Sequence, residues 1–478
     1  MIRGLKSDWR LVLGLFATSL VAVVVGTVIL EKGGYINGIW KRSPKEVEQI
    51  YFNATARMSE GEQLILARDR NPFKEAGILA YRNENYGEAI HFFQNALRFH
   101  RDPETLIYLN NARVSQDGDF LTIAVTVTLD DDFETNLAQE ILQGVAQAQK
   151  EFIEEGNNLK VIIGDDDNDP GSAVKLAQKF IDRPEILGVI GHYSSDLSLK
   201  AGALYQAEKL VMITPTAAST AISDIGDFIF RTGPTNLDTS EAITEHLVDK
   251  KQVSKVGVFY SSTSPYSSQL QELVVEKFEQ ELSKKTISID ADHPDFDIEA
   301  AFTTLQEQNI EAIAILLDRL ATPHSVAIVT KNDQALRMIS GDDAIYSDWT
   351  SETEAKASLG LVVPVPWHAL TNPSALFPVD SRELWGSDVS WRTAVSYDAA
   401  QALFNAFREA ATNERKAIQA ILADPNFVTQ GAADSIRFSE TGDRRHSITM
   451  VEVVEDDRGY FGYDFVPIDY ERNPQNEW

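Results

Sequence analysis

From residue 120 onward the chain alternates between two hydrophobic periods, and this alternation restricts its fold more than any other feature. "FLTIAVTVTL" is an apolar run of strand length. "NLAQEILQGVAQAQKEFIEEG" follows it, with Leu137, Ile141, Leu142, Val145 and Phe152 at helical spacing and Gly156 as the stop signal. The pair recurs as "LKVIIG" with "GSAVKLAQKFID", and as "ILGVIGH" with the stretch 197–208 ahead of "KLVMITP". "RTGPTNLD", residues 231–238, is a Gly/Pro break. A fresh alternation starts at 254 with "SKVGVFYSS", "YSSQLQELVVEKFEQEL", "TISID", "IEAIAILLD" and "ALRMISG". Short apolar strands between amphipathic helices predict parallel sheets covered on both faces. The break predicts two such sheets, hence an α/β fold of two Rossmann-like lobes with a cleft between them.

Two hydroxyl-rich turns stand at the ends of successive strands. They are "HYSSD" after "GVIG" and "TPTAAST" after "LVMI", residues 188–220. In open parallel sheets ligands sit beyond the carboxyl ends of strands. Hydroxyls and backbone N–H groups at a helix start suit an anionic group such as a carboxylate. The same serines also suit plain helix capping.

Residues 11–30, "LVLGLFATSLVAVVVGTVIL", carry no charge. At ~1.5 Å per residue a helix of this length crosses the ~30 Å hydrocarbon core of a bilayer. The following "LEKGGYING" has no small-residue cleavage pattern, which favours an uncleaved single-pass anchor over a signal peptide. Residues 1–35 are therefore expected to be a tail and transmembrane anchor, with the large domain on the extracytoplasmic side. Residues 45–115 read as a helical spacer. Within it Gly77, Tyr86, Ala89, Phe93 and Ala96 resemble a tetratricopeptide repeat. The segment is either an ordinary helical hairpin or a docking surface for a partner.

Charge and residue types exclude whole classes of function. With 72 acidic against 43 basic residues the net charge is −29, so nucleic acid is not an expected partner. The chain has 0 Cys, which removes thiol catalysis, disulfides and iron–sulfur clusters. "DDDNDPG" fails as a calcium loop, because counting from Asp165 puts Pro170 and Leu176 where Gly and Glu are needed. Helix capping is its better account. His192 has no evident acid partner and reads as a packed residue. No P-loop, nucleophile elbow or dinucleotide fingerprint is present. No cofactor, no metal and no enzymatic activity are expected.

These ordered segments resemble the type I periplasmic binding proteins, in the branch that binds leucine, isoleucine and valine for ATP-driven importers. The resemblance spans about 119–470 and rests on "TIAVTVTL", "DDDNDPGSAVKLAQKFI", "GVIGHYSSD", "LVMITPTAA", "FIFRTGPTNLD", "VGVFYSSTSPYSSQLQE", "ISGDD", "SYDAAQALFNAF" and "FSETGDR". It implies two lobes closing over a small ligand. Lobe 1 would comprise 119–235 plus about 364–440, and lobe 2 would comprise 236–363 plus about 441–470. The resemblance places a ligand carboxylate on Ser195, with Ser194 beside it, and on the turn Ala217, Ala218 and Ser219. It places an aromatic lid at Tyr266 and an ammonium acceptor at Asp343, with Asp342 adjacent. The family's second-lobe tyrosine is missing near "LDRLATPH", where Ala321 stands close to Asp318 and Arg319. A polar or charged amino acid, a small amide and a ligand without an amine all stay open. The implied role is a membrane-tethered solute-binding protein serving an importer. The alternative is an extracytoplasmic sensor that signals to a partner through its helical segment.

Overall fold

The computed structural model describes residues 57–66, 71–129, 132–343, 351–445, 447–459 and 461–470. The apolar stretch 11–30 and its expected anchoring role lie outside these residues. Among the described residues no helix is long and apolar enough to cross a membrane.

The first sheet contains β1 (Met58–Ser59), β2 (Leu121–Val127), β3 (Leu159–Asp165), β4 (Ile186–Ile190), β5 (Val211–Thr214) and β6 (Ile229–Arg231), in the order β1-β3-β2-β4-β5-β6. Its neighbours are parallel except for β1, which runs antiparallel to β3. The second sheet contains β7 (Lys255–Tyr260), β8 (Lys285–Asp290), β9 (Ala312–Ile315), β10 (Arg337–Ser340) and β11 (Leu361–Val365). After a small ribbon of β12 (Thr429–Gln430) and β13 (Ser435–Ile436), β14 (Thr449–Glu455) and β15 (Tyr463–Pro467) complete it. Its order is β15-β14-β11-β10-β9-β7-β8, with β14 antiparallel to both neighbours. Strands such as β3, β4 and β5 are buried along their whole length. This is why they read as unbroken apolar runs rather than as alternating ones.

The first sheet reverses its direction of growth at β2 and the second at β7. β2 has β3 on one side and β4 on the other, and β7 has β8 on one side and β9 on the other. Such reversals are the crevices where open sheets bind ligands.

The chain crosses between the sheets after β6, after β11 and before β14. On the second crossing the helix Trp391–Glu409 returns to pack along the helix Asp132–Glu154. A Cβ on Gly144 would lie 2.3 Å from the Thr393 carbonyl oxygen, so only glycine permits that approach. The Thr393 hydroxyl donates to the Glu140 carbonyl at 2.9 Å in the same contact.

The expected helical spacer is three helices, Pro72–Arg82, Tyr86–Phe99 and Pro103–Asp117. Gly77 faces the Phe93 ring, where a Cβ would stand 2.5 Å away. Ala89, Phe93 and Ala96 are all buried. The segment is not a stalk held away from the lobe, because it closes the edge of the first sheet. β1 pairs with β3 only at Gly164 and Ile163. Farther along the edge Asn111 takes over: its Nδ2 donates to the Val161 carbonyl at 2.7 Å, and its Oδ1 accepts the Val161 N–H at 3.0 Å. An amide side chain thus replaces the next residue of an edge strand.

Asn111→Leu should leave the Val161 N–H and C=O buried without partners. At about 1–3 kcal/mol for each orphaned group, urea unfolding should show a loss of roughly 2–5 kcal/mol. A change within experimental error would mean that the helices do not support the edge.

Candidate functional site

The loops leaving the two reversal points line one cleft of about 280 Å³. In the first lobe β4 runs into His192, Tyr193 and Ser194. Ser194 is extended and caps the helix Ser195–Ala207, accepting the Leu197 N–H at 3.3 Å. Ser195 is buried, and its hydroxyl accepts the Ser219 N–H at 3.1 Å. That hydroxyl keeps its own proton for donation.

Five of the residues expected from the sequence line this cleft: Ser194, Ser195, Ala217, Tyr266 and Asp343. Ala218 and Ser219 do not belong to the lining. Ala218 packs into the apolar cluster of Ile243, Tyr266 and Leu270. The Ala217 and Ser219 carbonyls are turned toward the guanidinium of buried Arg231, at 3.0 and 2.8 Å. Arg231 also holds Asp443 through its Nε at 2.8 Å. The turn is therefore shaped by an arginine at the first crossover. The Ala217 N–H is taken by the Thr214 hydroxyl at 3.2 Å.

Tyr266 lies in the first turn of the helix Pro265–Glu276. Its hydroxyl donates to Asp342 Oδ1 at 2.8 Å. Gly341 makes this possible, since a Cβ there would sit 2.4 Å from the phenol oxygen. Asp343 is more committed than the sequence suggests. One oxygen accepts the Tyr193 hydroxyl from the opposite lobe, and the other accepts the Arg319 N–H at 3.1 Å. The Arg392 guanidinium stands 3.7 Å away.

Sequence reasoning passed over several lining residues. Tyr193 spans the cleft beside Ser194 and Ser195. Asp318 and Arg319 occupy the loop after β9, and Ser261, Thr263 and Asp292 form the wall beyond β7 and β8. The resemblance names Asp318 and Arg319 of "LDRLATPH" only as neighbours of the missing tyrosine, yet that loop leaves the sheet's reversal point. The reversal itself was the available signal. His192 also differs from expectation. It is fully buried, and its Nδ1 lies 2.7 Å from Asp166 Oδ2, so it has an acid partner. In the same acidic stretch Asp169 caps the helix Pro170–Ile181.

Burial and the neighbouring Asp343 push the Asp342 carboxyl up to about 6. Burial likewise raises Asp318, with Asp343 adding to the effect. Asp292 is lowered: burial opposes its ionisation, but hydroxyls from Ser261 and Thr263 outweigh that. The Tyr193 phenol is pushed well up by burial and by Asp343, so it stays a hydrogen-bond donor.

Residues 121–458 match the family described as "Periplasmic binding protein", and the chain belongs to that family. The match begins after the three N-terminal helices. A Leu/Ile/Val-binding protein homolog 1 from Brucella suis biovar 1 is 24% identical over 284 residues, covering 58% of this chain and 75% of its own length. A leucine binding protein from Thermotoga maritima has the same fold, with a TM-score of 0.63 at 22% identity, over 72% of this chain and 97% of that one. An ABC transporter substrate-binding protein from Desulfitobacterium hafniense, solved in complex with Leu, has a TM-score of 0.60 at 18% identity and covers 73% and 100%. The expected two-lobe α/β architecture and small-solute class are those of this family.

A carboxyl raised from 3.8 to about 6 costs stability once pH passes its unfolded value, because the folded state resists ionisation. The cost is absent below about pH 4 and complete above about pH 6. Asp342→Asn keeps an acceptor for Tyr266 and removes the charge. It should stabilise the protein at pH 8 by about 1–3 kcal/mol relative to its effect at pH 4, read by denaturant unfolding at both pH values. An equal effect at both would show that the Asp342 charge is not strained.

Proposed function

We propose that this protein captures a small solute of the amino-acid class between its lobes and hands it to an ABC-type importer. The observation that carries the reading is the single cleft lined from both sheets at their reversal points. The Ser194 and Ser195 hydroxyls can donate to a carboxylate, with Ala217 as apolar wall beside them, and Tyr266 covers the stem. Ala218 and Ser219 support that turn from behind. Closure of the lobes over the solute shifts the population toward the form a permease recognises. The chemistry is read as binding without turnover, in keeping with the substrate-binding proteins this chain resembles.

The lobes are read as 119–235 with about 364–440, and 236–363 with about 441–470. Residues 11–30 are read as the tether that keeps the domain at an extracytoplasmic membrane face. A sensor role has one observation in its favour. The three helices are fused to the first lobe through Asn111 rather than hung on a linker. A partner bound to them would feel that lobe's position.

Thermal or chemical unfolding of the full chain with a panel of amino acids tests the reading. A true ligand at 100-fold over its dissociation constant adds about 2.7 kcal/mol of stability. Ser195→Ala should weaken that ligand roughly tenfold, the weight of one hydrogen bond to a charged group. A panel in which no amino acid shifts stability would sink the proposal.

A further inference from the structure

We propose that the solute carries a cationic group, an ammonium or a guanidinium, which pairs with Asp318, so that the cleft selects basic amino acids rather than branched aliphatic ones. This rests on the reading of the cleft as a solute site. Among the described residues five carboxylates line it, Asp196, Asp292, Asp318, Asp342 and Asp343, against the guanidinium of Arg319 and the imidazole of His324.

The carboxylates are not equivalent. Asp343 is held by Tyr193, the Arg319 N–H and nearby Arg392. Asp342 takes the Tyr266 hydroxyl, and Asp292 takes the hydroxyls of Ser261 and Thr263. Asp318 receives the Ala321 N–H at 3.2 Å and the Ser264 hydroxyl, both neutral donors. Its charged neighbours Asp343 and Asp292 repel it. A half-buried carboxylate among other carboxylates is stabilised by a positive charge brought from outside.

A second, independent feature asks for the other end of the same molecule. Trp391 lines the cleft at 2% exposure, and its indole N–H is buried without a protein acceptor. A ligand carboxylate or carbonyl would satisfy it. Apart from the rings of Tyr193, Tyr266 and Trp391, the lining has little aliphatic surface to pack a branched chain. Leu197 and Leu320 are the larger aliphatic side chains of the lining, and Leu320 is 70% exposed.

Calorimetric titration of the full chain with L-arginine, its uncharged isostere L-citrulline and L-leucine tests the inference without any variant. Arginine should bind at least about tenfold tighter than citrulline, and leucine weaker than both. In Asp318→Asn the arginine–citrulline gap should shrink to about twofold or less, with citrulline affinity retained. Leucine or citrulline binding as tightly as arginine would overturn the cationic preference while leaving the solute site standing. An unchanged gap in Asp318→Asn would overturn the assignment to that residue. Binding by none of the three would overturn this inference, while the reading beneath it falls only if the wider amino-acid panel also fails.

Discussion

Every strand of a parallel sheet leaves by the same edge. The connections that follow must return along a face, so the strand ends gather their loops together. This constraint organises the whole site. In the first sheet it brings Tyr193–Ser195 beside Thr216 and Ala217, although β4 and β5 are separated in sequence by a full helix. In the second it brings the loops after β7, β9 and β10 together. Three crossovers then set the two edges face to face. Arg231 stands at the first, joined to the turn after β5 and to Asp443 at the third. Gly144 lets the helix of the second crossing settle against the first lobe. The cleft is thus a product of chain direction before it is a product of any particular side chain.

This explains why the fold was easier to read than the site. Alternating apolar runs and amphipathic helices declare parallel sheets, and the Gly/Pro break after Arg231 declares their division. The register of single turns is not written in such patterns. Ala217, Ala218 and Ser219 are adjacent in sequence, yet the pull of Arg231 on two carbonyls decides which of them faces the cleft. Ser194 and Ser195 could be recognised because a hydroxyl at a helix start has a local meaning. Asp318, Arg319 and Trp391 have no local signature, and only the assembled reversal points bring them to the cleft. The bond of His192 to Asp166 joins residues from two strand ends, so no spacing rule announces it.

The charge distribution in the cleft is uneven. Arg319 in the lining and Arg392 behind it accompany Asp342 and Asp343, a set whose formal charges balance. Arg392 is 1% exposed and donates to the carbonyls of Asp342 and Asp343 at 3.3 and 3.2 Å, which fixes the backbone after β10. The Tyr193 phenol reaches this group from the other lobe. A neutral donor is well chosen for such a bridge. It satisfies a carboxylate when the lobes meet, and it loses little to water when they part. The hydrogen-bond donors to Asp292 and Asp318 are hydroxyls and backbone N–H groups, with the His324 imidazole also near Asp292.

The N-terminal helices extend the same logic to the far edge of the first sheet. A short β1 leaves most of β3 open, and an open strand edge pairs readily with another chain. Asn111 closes it with one side chain, and Gln149 supports Asn111 through its Nε2 at 2.9 Å. Lys74 sits fully buried between Asp102 and Glu104. Glu104 in turn accepts the Ile65 and Leu66 N–H groups at 2.7 and 3.1 Å. A buried ion pair of this kind contributes little net stability compared with apolar packing, but breaking it leaves an unpaired charge. Its effect is to permit one arrangement of helices, leading strand and sheet edge and to penalise the others. The helices and the first sheet are therefore one packed body, and the three crossovers are what join that body to the second sheet.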